Sequence, residues 1–258
     1  MTTKVVPGDR RQGREATSFE LKMEQFAQPD DVTCGPTCLR KVYNYFGHDL
    51  PLEIVLGEID RNEDGGTLAV FLGVSALRRG FRARIYSYDL RIFDPTWRTL
   101  DSAELAEKIT LRIPHLKRSK AKRSATAYLE FLELGGSLGF EELTPLLLKR
   151  ILRSGHPVLA GLSATHLYGF MRERHDAVTH ELVDDDIEGD PTGHFLVISG
   201  YENWGSHFVV RDPSAHVPRT EDGRLVVEAH RLINSILLGD LTYDAVLLEL
   251  WRQDGGAE

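Results

Sequence analysis

The chain has 258 residues, 41% of them hydrophobic and 27% charged, which is the composition of a globular protein that buries a core without disulfides. Its formal net charge of -8 argues against nucleic acid and anionic membranes as partners, because both attract a strongly positive surface. Only two cysteines occur, too few for a disulfide scaffold or a four-cysteine zinc site.

Residues 1–20 mix charged side chains with glycine and proline and contain no apolar run. We expect a flexible arm there, followed by a single domain over 21–258. The arm has the features of neither a signal peptide nor a membrane anchor, and no later segment reaches the roughly 18 apolar residues that span a bilayer. A cytoplasmic location is therefore predicted, and the cytoplasm keeps thiols reduced.

Helical periodicity dominates the first half of the chain. Apolar residues at 39, 42, 43 and 46 follow the i, i+3, i+4, i+7 pattern and Gly47 supplies a stop, which predicts a helix over 34–46. Further helices are predicted at about 51–60, 66–79, 102–113, 124–134 and 140–153, with one strand at 81–88. The mainly helical stretch 89–140 contains no recognisable motif, and we expect an insertion or lid that shapes a substrate cleft.

The second half has a different pattern, with short β-branched and aromatic runs at 157–162, 194–201, 207–211 and 244–251. Helical spacing at about 227–238 interrupts these strands. Helices first and an antiparallel sheet second is an α+β pattern. Residues 181–190 place six acidic side chains in ten positions, which fits a solvated loop, a calcium-like oxygen cluster or a selector for cationic substrates.

Cys34 stands at the start of the first predicted helix, where the helix dipole favours a thiolate. Gly35 and Pro36 suit close substrate approach and a first helical turn. Gln28, six residues earlier, is a candidate donor to an oxyanion, together with the Cys34 backbone N–H. Cys38 is expected to be a small buried packing residue.

The strand that opens with His194 and the strand that ends before Asp212 are separated by a short turn at 203–206. An antiparallel hairpin would bring the two residues side by side, so that Asp212 orients the imidazole toward a thiol. The other histidines considered, His166, His175, His180 and His207, match no metal-site spacing and are expected at the surface. Trp204, near the turn, is a candidate cleft wall.

The pattern of Gln28, Cys34-Gly35-Pro36, then a distant Gly-His194-Phe strand and Asp212-Pro213 resembles the C39-like peptidases of the papain-like superfamily. This resemblance covers about 28–60 and 155–251, and it implies a papain-like fold whose nucleophile helix packs on the sheet. It also implies Cys34 as nucleophile, His194 as general base and acid, Asp212 as the orienting residue and Gln28 as an oxyanion donor. No cofactor or metal is implied.

The segments GLSATHLYGFMRE and DDIEGDPTGHF further resemble a stand-alone bacterial subgroup of this family, often encoded near ATP-grasp ligases of the glutamate-ligase type. That resemblance implies amide or isopeptide chemistry on a peptide, with a functional link to such a ligase. Better-known members are fused to ABC exporters and cut leader peptides after a double glycine, whereas no transporter segment occurs here. Three hypotheses stay open: a peptide or amide hydrolase, an acyl transferase with the same site, and a non-catalytic peptide-binding module.

Overall fold

The computed structural model describes residues 16–62, 65–179, 181–214, 223–239 and 245–252. Its helices are α1 Cys34–Tyr45, α2 Leu52–Gly57, α3 Ala69–Arg78, α4 Ser102–Arg112, α5 Ser119–Glu133, α6 Pro145–Arg153 and α7 Ala229–Leu238. Its strands are β1 Phe19–Glu20, β2 Arg82–Ser87, β3 Ser137–Gly139, β4 Val158–Ser163, β5 Glu173–His175, β6 Leu182–Asp184, β7 Gly193–Glu202, β8 His207–Arg211, β9 Arg224–Glu228 and β10 Val246–Trp251.

Helix α1 forms where the apolar periodicity predicted it. Leu39, Val42 and Tyr43 are fully buried on the face that packs into the core. The helix ends ahead of Gly47, whose φ of +82° is the left-handed conformation that glycine adopts without strain. A helix with this buried stripe is held mainly by packing, which fixes where its first residue, Cys34, lies.

The main sheet has the strand order β3-β2-β10-β4-β7-β8-β9, with β1 added beside β7. Its pairs are antiparallel apart from β2 with β3, which is parallel. Helix α1 packs against β7, so the predicted α+β class and the packing of the first helix on the sheet are confirmed. Strands β1, β2 and β3, from the chain before α6, also join this sheet.

Most of the predicted arm at 1–20, residues 1–15, lies outside the described residues. Phe19 and Glu20 pair with Tyr201 and Gly200 of β7. The backbone of the arm runs so close to Gly200 that any Cβ there would collide with the Phe19 carbonyl oxygen. A two-residue strand leaves too little periodicity to be recognised in a sequence, which is why this pairing was missed.

The stretch 89–140 is mainly helical, as predicted, and it ends in β3 at the edge of the main sheet. Its helix α5 packs against α3 and α4, and β3 pairs with β2. These contacts lie several strands away from β7, so they tie the stretch to the sheet edge and not to the strand that carries His194. Its role as a lid stays a hypothesis.

An inserted hairpin of β5 and β6 separates β4 from β7 and contains the acidic run 181–190. Asp185 binds Arg174 and accepts hydrogen bonds from the N–H groups of Ile187 and Glu188, so one of the six acidic side chains shapes the turn that follows β6. The sequence also missed β9, where 224–228 pairs with β8 before α7 begins. Within the described ranges, no helix combines the length and apolar character needed to cross a bilayer.

Candidate active site

Cys34 is the first residue of α1 and is 9% exposed. Its N–H lies in the first helical turn, where backbone donors lack intrahelical acceptors and the helix dipole is positive. The hydroxyl of Thr33 does not cap this end and instead donates to the Asp30 carbonyl, at 3.3 Å. Gly35 lets the helix approach the sheet, because a Cβ there would press on Thr67 and on Phe195 of β7.

The hairpin of β7 and β8 brings His194 and Asp212 together. His194 is the second residue of β7, and Asp212 follows the last residue of β8. His194 Nε2 lies 3.0 Å from Asp212 Oδ1 and 3.1 Å from Oδ2, and the carboxylate is fully buried. The hydrogen bond that the antiparallel hairpin predicted is therefore present.

Cys34 lies close enough to the imidazole of His194 to influence its pKa. Because Asp212 occupies Nε2, Nδ1 is the nitrogen left for the thiol. Burial by itself lowers the pKa of His194, but the Asp212 charge, the hydrogen bond to Asp212 and the neighbouring Cys34 outweigh it and raise that pKa to about 10. The raised pKa favours the protonated imidazole, which Asp212 binds on one side and Cys34 approaches on the other.

Two further groups bind the Asp212 carboxylate in addition to His194. Tyr168 donates its hydroxyl to Oδ2, and the Ser214 N–H donates to Oδ1 at 2.7 Å. Burial alone would raise the pKa of Asp212, but the charge of His194 and these hydrogen bonds keep it below the ordinary value of 3.8. Sequence reasoning missed Tyr168, since nothing in its spacing relates it to a residue 44 positions later in the chain.

Gln28 lies beside the site through its backbone, because its N–H donates to the Pro213 carbonyl at 2.8 Å. Its side-chain Nε2 donates to the Asp30 carbonyl at 2.8 Å, and its buried Oε1 has no partner among the described residues. The amide therefore faces the loop before α1 in this structure. A role as oxyanion donor stays a prediction, and it requires Nε2 to leave the Asp30 carbonyl.

The structure brings none of the other sequence candidates into this cluster. His166 binds Ser235, His207 binds Ser206, and His180 lies outside the described residues. His175 is on β5 of the inserted hairpin. Trp204 was wrongly considered as a cleft wall: it lies in the turn after β7, at the opposite end of that ten-residue strand from His194.

Cys38 lies one turn after Cys34, fully buried, with its thiol donating to the Phe195 carbonyl at 3.3 Å. Burial raises the pKa of the Cys38 thiol well above its ordinary value, so this thiol is both inaccessible and protonated. Cys38→Ala is expected to leave Cys34 alkylation unchanged within about twofold and to lower the unfolding free energy by about 1 kcal/mol, for one weak hydrogen bond and a sulfur-sized gap. Urea unfolding and mass spectrometry measure both, and a tenfold loss of Cys34 alkylation would contradict this assignment.

Comparison with known proteins identifies fold similarities at low sequence identity. No protein-family model matches the chain, and no curated protein matches it. A double glycine motif protease from an AMS/PCAT transporter, solved with its leader peptide, shares 14% identity at a TM-score of 0.43, over 91% of this chain and 94% of that one. The peptidase domain of Streptococcus ComA, a bifunctional ABC transporter involved in quorum sensing, shares 15% at 0.42, over 90% and 99%.

A protein described as a C39-like peptidase from Bacillus anthracis shares 11% identity at a TM-score of 0.44, over 90% of this chain and 95% of that one. All three TM-scores lie below 0.5, so we base the functional proposal on the side chains of the chain itself.

Proposed function

We propose that this protein is a cysteine hydrolase that cleaves a peptide or amide bond through an acyl-Cys34 intermediate. The observation that carries the proposal is a buried His194 that is hydrogen-bonded to the Asp212 carboxylate and lies close enough to Cys34 for the two side chains to interact. A nucleophile, a base within hydrogen-bonding reach and a third group that orients the base are the parts that nucleophilic catalysis requires. A helix N-terminus adjoining the nucleophile adds a donor for the oxyanion.

In the proposed reaction, the proton of the Cys34 thiol has already passed to Nδ1 of His194 in a resting thiolate–imidazolium pair, and the thiolate attacks the substrate carbonyl carbon. The Cys34 N–H stabilises the oxyanion. The imidazolium then protonates the departing amine as the carbon–nitrogen bond breaks, leaving a thioester on Cys34. A water molecule, deprotonated by His194, attacks the thioester and releases the acid, which restores the thiol. Asp212 stays ionised throughout and holds Nε2.

The rate of Cys34 alkylation by iodoacetamide against pH, read by mass spectrometry, tests the proposal. A thiolate paired with imidazolium reacts far below the free-cysteine pKa of about 8.5. At pH 6 we expect the wild type to react on the order of 100-fold faster than His194→Ala, since each pKa unit is worth tenfold in thiolate fraction. The fully buried Cys38 serves as an internal reference, because it should stay unmodified in the folded protein.

Slow alkylation of Cys34 that is the same in wild type and His194→Ala would overturn the proposal, and a peptide-binding module would replace it. Hydrolysis and acyl transfer are separated by products. With p-nitrophenyl acetate as acyl donor, hydrolysis gives acetate at a rate independent of added amines, whereas acyl transfer gives an acetylated amine.

A further inference from the structure

A buried lysine lies beneath the candidate site and takes no part in the reaction proposed above. Lys41 of α1 is fully buried, although lysine is among the residue types least often found in a core. It follows Cys34 and Cys38 at the i+7 and i+3 positions of the helix, and therefore shares the face that these two residues present to the sheet. An ammonium group held away from water needs a partner and a reason to be there.

The partner is Gln25, whose side chain bridges Lys41 and the main chain of Asp212. Lys41 Nζ donates to Gln25 Oε1 at 2.9 Å, and Gln25 Nε2 donates to the Asp212 carbonyl at 2.6 Å. An ammonium only donates and a carbonyl only accepts, so the two contacts together allow a single orientation of the Gln25 amide. Lys41 therefore determines which end of Gln25 faces Asp212.

The backbone around this bridge is shaped to admit it. Asp212 N–H donates to the Gly223 carbonyl at 2.8 Å, so both polar main-chain atoms of Asp212 are bound. Gly223 has a φ of +62°, and a Cβ at this position would overlap the Gln25 amide and the Asp212 carbonyl. The bridge and the glycine thus fix the residue that orients His194.

Lys41 also changes the charge of the buried cluster. A thiolate at Cys34, an imidazolium at His194 and a carboxylate at Asp212 sum to one negative charge, which the Lys41 ammonium cancels. Desolvation lowers the pKa of Lys41 to about 8, and its titratable neighbours are the protonated Cys38 thiol on the same helix, Asp212, whose charge favours the ammonium, and Arg211, whose charge opposes it. Below that pH, the charge of the ammonium is attracted to the carboxylate that holds His194.

We propose that Lys41 and Gln25 are positioning residues of the candidate active site, which fix the Asp212 main chain and supply the positive charge that balances the buried thiolate, imidazolium and carboxylate. This inference rests on the proposed function. Neither residue touches the reacting atoms, and both act through Asp212 and the charge of the cluster. The helical rise of about 1.5 Å per residue puts Lys41 about 10 Å from Cys34 along α1, close enough for a full charge in a protein interior to move a pKa by about one unit.

The test is the pH profile of Cys34 alkylation in Lys41→Met and in Gln25→Glu. The first variant removes the ammonium, and the second cancels it with a carboxylate that cannot donate to the Asp212 carbonyl. In both variants the rise of the Cys34 alkylation rate with pH should shift to higher pH by about one unit. Alkylation at the lowest pH where the wild type reacts should then be about tenfold slower. Should Lys41→Met fail to fold, Gln25→Glu keeps Lys41 paired and carries the test alone.

Lys149→Met is the matched control, because Lys149 is 8% exposed and donates to the Trp204 carbonyl at 3.0 Å, at the far end of β7. It removes one buried positive charge from the same fold, and its alkylation profile should coincide with that of the wild type. Two results would overturn the inference. One is a wild type whose Cys34 alkylation depends on His194 but whose pH profile is the same as those of Lys41→Met and Gln25→Glu. The other is a Lys149→Met profile that shifts as far as that of Lys41→Met. If wild type lacks the His194-dependent limb, the proposed function itself fails.

Discussion

Replacing Cys34 with alanine is expected to abolish acyl transfer from substrate to enzyme while leaving the fold in place. The side chain is small and lies at the first position of α1, so alanine is tolerated there sterically and as a helix former. Without the thiol no thioester forms, and the turnover should fall by about 10⁴-fold or more, as when the nucleophile of a triad is removed. Release of p-nitrophenolate from p-nitrophenyl acetate, with cleavage of a peptide library read by mass spectrometry, measures the loss.

The control is Cys38→Ala, which removes a thiol one turn away and should retain turnover. Circular dichroism and a melting temperature within a few degrees of wild type establish that Cys34→Ala is folded. A Cys34→Ala protein whose turnover stays within tenfold of wild type would show that the activity arises elsewhere, and the assignment of Cys34 as nucleophile would then fall.

Asp212→Asn is expected to have the second-largest effect, because it removes the charge that outweighs the desolvation of His194. In the wild type that charge helps to raise the pKa of His194 to about 10, although burial lowers it. With a neutral amide, burial prevails and the pKa should fall below the ordinary value of 6.5. His194 then becomes neutral at pH 7, and alkylation of Cys34 at that pH should slow on the order of 100-fold.

The His194 C2–H resonance, followed by NMR against pH, measures this shift directly, and a pKa that stays near 10 in Asp212→Asn would contradict the account.

The same pKa shifts determine how the stability of the fold depends on pH. The contribution of His194 to the free energy of unfolding is fully present below pH 6.5 and is lost as pH rises through about 10. Asp212 has a lowered pKa, so its contribution to the free energy of unfolding is fully present above pH 3.8 and is lost as pH falls below that value. Asp212→Asn should flatten both edges of the melting-temperature profile.

Much of the element order was predictable because it depends on local pattern. The periodicity of 39, 42, 43 and 46 identified α1, and the β-branched runs identified β4, β7, β8 and β10. Short strands were missed, since two or three residues of β1 and β3 contain too little periodicity. Strand β9 was missed because its alternating residues run without a break into α7, and pairing with β8 decides their conformation.

The sequence by itself determined the helix that starts at Cys34 and the hairpin whose ends hold His194 and Asp212, because the periods of helix and strand and a short turn fix which residues become neighbours. Only the tertiary structure decided what surrounds them. Tyr168 and Gln25 meet Asp212 across 44 and 187 positions of chain, and Lys41, which the sequence pattern would place at the surface, is buried and bound by Gln25. Contacts made across such separations depend on how the whole sheet packs, and no local pattern records that packing.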